Sequence, residues 1–382
     1  MDIEENGTVS NYQIYPSVIR SRERMTYRNF NRILDGDETL IRKYRHIYSD
    51  LQLMADCSER IRKHRFENGA MDFDREESEI VLNEKGKVVD IKPRERFFAE
   101  RMIEDFMVCA NETVARHMKW MEYPCLYRIH EQPPVKKMRE FVRVATIMGY
   151  PWKGNIQEVY PKQLQNMLED AKDTEAFPVI SSWMLRSMSK AKYDPNCIGH
   201  FGLGLQEYLH FTSPIRRYPD LIVHRMLRKY FFGQCLDLDA MKEDQLKMED
   251  YARQTSGRER DAVECERDVD DMKKAEYMES HVGQVFSGII SGITGFGLFV
   301  TLPNTVEGLA HVNDMTDDYY KFSSESFMMI GERTGRKYRI GQTVQVKCIG
   351  ASRYTKSVDF VILHKEERQH DKTHRRKPKS KA

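Results

Sequence analysis

The sequence predicts an α+β protein: a mostly helical body over residues 1–279, a small five-stranded β-barrel over 280–364, and a basic, disordered tail over 365–382. Three observations predict it. Up to about residue 279, apolar residues recur at helical spacing. At Ser280 the texture changes to short β-type runs separated by glycines. From His364 onward eight Lys/Arg stand against three Asp/Glu with no apolar period, which leaves nothing to build a core.

The elements follow in order. Residues 11–19 alternate loosely and read as a short strand or edge segment. Phe30, Ile33 and Leu34 suggest a helix ending at Gly36. Leu40, Ile41, Tyr44, Ile47, Tyr48, Leu51 and Met54 predict a second helix over 38–63. The runs 78–82 and 87–91, joined by Asn83-Glu84-Lys85-Gly86, read as a hairpin with a solvated acidic face. Just before it stand Asp72 and Asp74. Two carboxylates at i and i+2 on a strand could hold a divalent cation. One such pair with no further ligand is a weak metal signal, and the structural reading is preferred.

Phe98, Met102, Phe106, Ala110, Val114 and Met118 mark a long amphipathic helix over 97–121. Asn111 and His117 within it read first as satisfied structural contacts and second as functional groups. Residues 124–131 form a strand or loop, in which Tyr127 is either a stacking surface beside Arg128 or a core residue. Helices follow over 136–148, 161–170, 180–188 and 221–232, and a long polar one over 236–278. Five short strands in the last part, with glycine turns, suggest a closed barrel. Phe296, Phe299 and His311 fall on neighbouring strands of it and suit a stacking platform for single-stranded nucleic acid.

Composition bounds the function. A 382-residue chain that is 40% hydrophobic and 31% charged has room for two or three soluble domains. No run of about 18 apolar residues occurs, so no membrane span is expected. The first residues, MDIEENGTVS, lack the pattern of a signal peptide. The seven cysteines are scattered without a CxxC pair, which reads as reduced thiols in a cytoplasmic protein. No Walker loop, GxGxxG, GxSxG or HExxH is present. Net charge is only +2, but the tail carries +5 and the rest −3. The tail reads either as a solubilising end or as a weak tether for a phosphate backbone.

The densest chemistry lies in residues 199–225, GHFGLGLQEYLHFTSPIRRYPDLIVHR. Phe201, Tyr208, His210 and Phe211 offer flat faces. Arg216 and Arg217 sit beside hydroxyls and a turn-forming proline. Guanidinium pairs with phosphate in a planar fork, and aromatics stack on bases.

That stretch closely resembles the signature of the RNB family of exoribonucleases, in particular its RNase R branch. SVIRSRERMTYRNFNRIL, CANETVARHM, CLYRIHEQPP and MLRSMSKAKYDP support the resemblance. SGITGFGLFV, EGLAHV and the insertion DDYYKF…GERTGRKYRIGQTV are similar to an S1-type RNA-binding domain, an OB-fold. The resemblance covers nearly the whole chain. It implies processive 3′-to-5′ hydrolysis of RNA to nucleoside 5′-monophosphates with Mg²⁺. It implies that Arg216 binds the reacting phosphate, that Glu259 and Tyr27 belong to the catalytic set, and that Tyr127 clamps a base. It further implies RNA contacts from Arg217, His210, Phe296, Phe299 and His311, and from Arg353 or Lys356 in the last loop.

One part of the family pattern is missing. The metal-binding aspartates lie in a run resembling DxxDAxDxDDAV, and this sequence has none. Residues 1–279 then correspond to an RNB catalytic domain lacking its N-terminal part. The expectation is a fragment, a split gene product or a mis-called start, with no metal ligands on this chain and doubtful activity alone. The missing part is a candidate partner as a separate chain. The alternative reading is a non-catalytic single-stranded RNA-binding protein.

Overall fold

A computed structural model of the chain describes residues 1–71, 77–174, 176–323 and 326–363. The Asp72/Asp74 pair and the tail lie outside the described residues. The architecture is α+β, as the sequence predicts. A short hairpin, β1 (Asp2–Ile3) and β2 (Val9–Asn11), opens the chain. Residues 12–26 then carry no regular structure, so the strand expected over 11–19 is confined to its first residue.

Helices α1 (Tyr27–Leu34), α2 (Glu38–Lys43) and α3 (Tyr48–Glu67) follow. Thr26 and Asp37 cap the first two by accepting from Asn29 N and Leu40 N. The single helix expected over 38–63 is broken by a turn at Tyr44–Ile47. The hairpin β3 (Ser78–Leu82) and β4 (Val88–Pro93) pairs as expected. Asn83 Oδ1 accepts from Lys85 N and Lys87 N in its turn. Its outer edge is less solvated than expected, since Val88 and Ile91 pack against the barrel.

Next come α4 (Phe98–Trp120), β5 (Tyr127–Ile129), α5 (Val135–Ile147), α6 (Pro161–Ala171), α7 (Phe177–Ser187) and β6 (Lys192–Asp194). β5 pairs antiparallel with β6. Helix α8 (Tyr218–Met226) runs into a π-type turn over Leu227–Phe232. Helix α9 (Leu238–Glu279) is 42 residues long. Residues 261–269 in its middle are exposed on every side.

The barrel consists of β7 (Val285–Thr294), β8 (Gly297–Thr301), β9 (Glu307–His311), β13 (Thr343–Ser352) and β14 (Ser357–Leu363). It closes in the order β13-β14-β9-β8-β7. The sequence between β9 and β13 adds a three-stranded sheet: β10 (Tyr320–Ser323), β11 (Met328–Gly331) and β12 (Lys337–Arg339). Inside the barrel, Phe360 is fully buried opposite Gly308. A Cβ at Gly308 would stand 2.4 Å from the Phe360 ring, so only glycine fits there.

Four apolar clusters hold these parts. One joins α1–α4. A second joins α5, α6 and α7. A third gathers Val114 and Met118 of α4, β5, β6, α8 and the start of α9, where Met248 and Ala252 are buried. The fourth is the barrel, onto which Ala275 and Met278 from the end of α9 dock. Burying one large apolar side chain contributes about 1.5–3 kcal/mol, so α9 is fastened independently at both ends.

Candidate nucleic-acid interface

The loop 199–217 is built from polar anchors. Asn111 on α4 is buried; its Oδ1 accepts from Phe211 N (3.0 Å) and Thr212 N (3.2 Å), and its Nδ2 donates to Tyr208 Oη. Asp220, in the first turn of α8, is completely buried. Its Oδ1 accepts from Ser213 N at 2.7 Å and from Arg217 Nη2 at 2.8 Å. His224 Nε2 donates to Phe211 O at 3.0 Å, and its ring stacks on Phe211 at 4.2 Å. Gly204 lies at φ 65° against the backbone of residues 68–70, an approach a Cβ would block at 2.8 Å. Both ends of the loop are thus fixed. The tip, Ile215 and Arg216, is exposed.

Arg216 opens onto a cavity of about 270 Å³. Six guanidinium groups line it, from Arg62, Arg65, Arg96, Arg101, Arg216 and Arg217, against the carboxylates of Glu104 and Asp105. Arg65 pairs with the buried Asp105, Arg96 with Glu104, and Arg217 with Asp220. Burial pushes the Asp105 carboxyl up, and Arg65 and Arg62 oppose that. The side chains of Arg101 and Arg216 make no ion pair among the described residues. A concave site in which guanidinium groups outnumber carboxylates among the described residues suits an anion such as a phosphodiester.

Behind the loop the histidines and tyrosines form a packed row of rings. His130 and His200 are 5.0 Å apart, His200 and Tyr208 5.3 Å, and Tyr208 and His210 5.7 Å. Tyr193 Oη and His210 Nδ1 share a hydrogen bond of 2.8 Å. His130 Nδ1 accepts from Gly202 N at 2.8 Å, so its Nε2 carries the proton, which it donates to Ser189 O. Burial holds these rings neutral. It lowers His200 to about 3 and His210 to about 2, with neighbouring cations adding to the effect. Braced by Tyr193 and Tyr208, the partly exposed His210 ring is held in place, neutral, beside the loop.

The other expected residues divide as follows. Glu259 does not line the arginine cavity. It binds Arg128 in a two-point pair of 2.5 and 2.9 Å, and Arg128 lies 4.7 Å from the centre of the Tyr193 ring. Tyr127 is only 5% exposed, so the core alternative holds and its ring is not free to clamp a base. Tyr27 is 49% exposed in the first turn of α1 and lies outside the cavity lining. Arg217 is occupied by Asp220. Arg353 binds Glu279 and Lys356 binds Asp268, both on α9, so these loop cations fasten the barrel to the helix.

Phe296, Phe299 and His311 are brought together as expected. Alternation turns Leu298, Val300 and Ala310 inward and Phe299, Leu309 and His311 outward. Phe296 is half exposed and meets Phe299 edge-on at 6.0 Å. Sequence reading missed Arg62, Arg65, Arg96, Arg101 and Asp105. The i, i+3 pair on α3 and the i, i+4 pair on α4 were the available signals.

The family model described as the RNB domain matches residues 1–233, and the S1 RNA binding domain matches residues 279–362. Ribonuclease R 1 of Lactococcus lactis subsp. lactis (strain IL1403) is 42% identical over 366 residues, covering 96% of this chain and 45% of that protein. Ribonuclease R of Aquifex aeolicus (strain VF5) is 40% identical, covering 96% and 52%. The structure of Mycoplasma genitalium RNase R in complex with ribose methylated single-stranded RNA matches with a TM-score of 0.87 at 29% identity, covering 94% of this chain and 56% of that one. The chain thus spans about half the length of the relatives it matches.

Proposed function

The chain belongs to the RNB family, and from that premise we propose that it serves 3′-to-5′ exoribonucleolysis, the release of nucleoside 5′-monophosphates from single-stranded RNA. Residues 1–279 would bind the reacting end and residues 280–364 would capture the incoming strand. The observation that carries this reading is Arg216: a guanidinium without an ion pair among the described residues, on a doubly anchored loop, lining an arginine-rich cavity within the matched segment. Phe296, Phe299 and His311 would stack on bases upstream. Glu259 would act by positioning Arg128 and the β5–β6 pair. The free cysteines are in keeping with a cytoplasmic setting.

The family implies a divalent cation, for which Mg²⁺ is our proposal. The described residues do not fit one. Glu104 and Asp105, which line the cavity with Arg216, are each engaged by arginine, and no cluster of three or more His, Cys, Asp or Glu able to hold a metal occurs among the described residues. No step is therefore assigned to the ion. A second reading, a non-catalytic single-stranded RNA-binding protein, needs no such ion.

The two readings part in one experiment. The chain is incubated with labelled single-stranded RNA and Mg²⁺, alone and with the N-terminal half of the Lactococcus lactis relative supplied as a separate polypeptide. The first reading expects mononucleotide release from the mixture. Salt-sensitive binding with no release from either sample overturns the first reading in favour of the second.

A further inference from the structure

A second concave site lies away from the arginine cavity, where the sheet β10–β12 meets helices α5 and α7. The cleft measures about 880 Å³, within the range of small-ligand sites. Val144 and Ile147 of α5 and Val179 of α7 form its apolar floor. Trp183 of α7 and Phe327 meet edge-on across the junction at 4.8 Å, and both are partly exposed.

Two further observations say what the cleft holds. Phe327 has a φ of 51°, a strained value for a bulky residue. Backbone strain of this kind clusters at ligand clamps, and here it presents a ring to the cleft. On the rim, Lys337 and Arg339 stand two residues apart on β12 and share its exposed face. Neither side chain has an ion pair or hydrogen bond among the described residues, and no carboxylate is among the described lining residues. Flat rings beside cations that no described residue pairs suit a planar anionic ligand. Base stacking combined with a positively charged groove is how single-stranded nucleic acid is held without sequence preference.

We infer that this cleft is an accessory RNA site that takes one unstacked nucleotide of a single strand, its base against Trp183 and Phe327 and its phosphate at Lys337 and Arg339. The inference rests on the RNA-binding reading above and adds a contact across the junction between the helical body and the barrel insertion.

The test is fluorescence anisotropy with a labelled single-stranded RNA longer than the roughly 4–16 nucleotides that one OB-fold covers. The full chain is compared with Trp183→Leu, Trp183→Phe and the pair Lys337→Ala/Arg339→Ala, each checked for folding by circular dichroism. Trp183→Leu should weaken binding roughly 5- to 100-fold, while Trp183→Phe, which keeps a ring, should stay near the parent. The rim pair should flatten the dependence of log affinity on log salt by about 0.7 for the phosphate lost. A single abasic position walked along the RNA should weaken parent and Trp183→Leu alike where the base meets the barrel rings, and should weaken the parent but not Trp183→Leu at one further position. Parental affinity in folded Trp183→Leu and in the rim pair overturns the inference while leaving RNA binding intact. Absence of RNA binding by the parent overturns the broader reading and this one together. Should Trp183→Leu fail to fold, the exposed rim pair decides alone.

Discussion

The loop 199–217 and the outer face of the barrel are both rich in aromatic residues and histidine, and they use them in opposite ways. In the loop the rings of Tyr208, His200 and His210 are packed inward, and the exposed group is a cation, Arg216. On the barrel the rings of Phe296, Phe299 and His311 face outward, while Arg353 and Lys356 are tied to α9. The same residue types thus serve as scaffold in one place and as platform in the other. Backbone geometry decides which. Strand alternation must turn every second side chain of β8 and β9 to solvent, whereas Asn111, Asp220 and His130 pull the loop down onto its own rings.

Substitutions can break or sharpen this division. The largest effect is expected from Asp220→Ala, which removes a fully buried carboxylate from the partly buried Arg217 and from the Ser213 amide. Chemical denaturation should register a loss of about 3–5 kcal/mol, and a loss under about 1 would mean the loop is anchored elsewhere.

Acidification should act on the loop. His200 and His210 are held far below the usual histidine value of about 6.5. The unfolded chain therefore takes up protons that the folded chain refuses. Stability is fully present above about pH 6.5 and is lost as pH falls toward 3, by up to about 1.4 kcal/mol per pH unit for each ring. Melting curves between pH 7 and 5 should show this, and His210→Gln should make the profile shallower.

Phe296→Ala/Phe299→Ala should cost about 1–3 kcal/mol of RNA affinity per lost stack with an unchanged salt slope. Arg216→Ala should instead reduce the salt slope by about 0.7. A reversal of these two signatures in a salt titration would reject the division of labour. The smallest change is expected from Lys356→Ala, whose exposed pair with Asp268 contributes no more than about 1 kcal/mol to stability.

Periodicity made most of the fold legible. The run from Phe98 to Met118 and the short glycine-bounded strands after Ser280 each announce one element. The turn at 44–47 was hidden because Tyr-Arg-His-Ile contains neither glycine nor proline. The arginine cavity was hidden for another reason. Its groups converge from α3, the start of α4 and the loop before α8, and nothing local separates them from the other basic residues among 61 Lys/Arg. Arg216 was legible because its motif is local. The surroundings of Glu259 and Tyr127 were not legible because their partners, Arg128 at a separation of 131 and Leu209 across a β-bridge, are set by tertiary contacts.

Helix α9 bears on the length of RNA that the two proposed contacts would take together. It is seated in one cluster at Met248 and in another at Met278, and between them it holds Arg128 through Glu259 and Lys356 through Asp268. At about 1.5 Å per residue that interval is roughly 45 Å of stiff rod. A rod of fixed span makes a molecular ruler. Oligonucleotides too short to reach from the barrel rings to the arginine cavity can occupy one of the two at a time. Those long enough hold both, and affinity should step upward at that threshold length in place of a smooth climb.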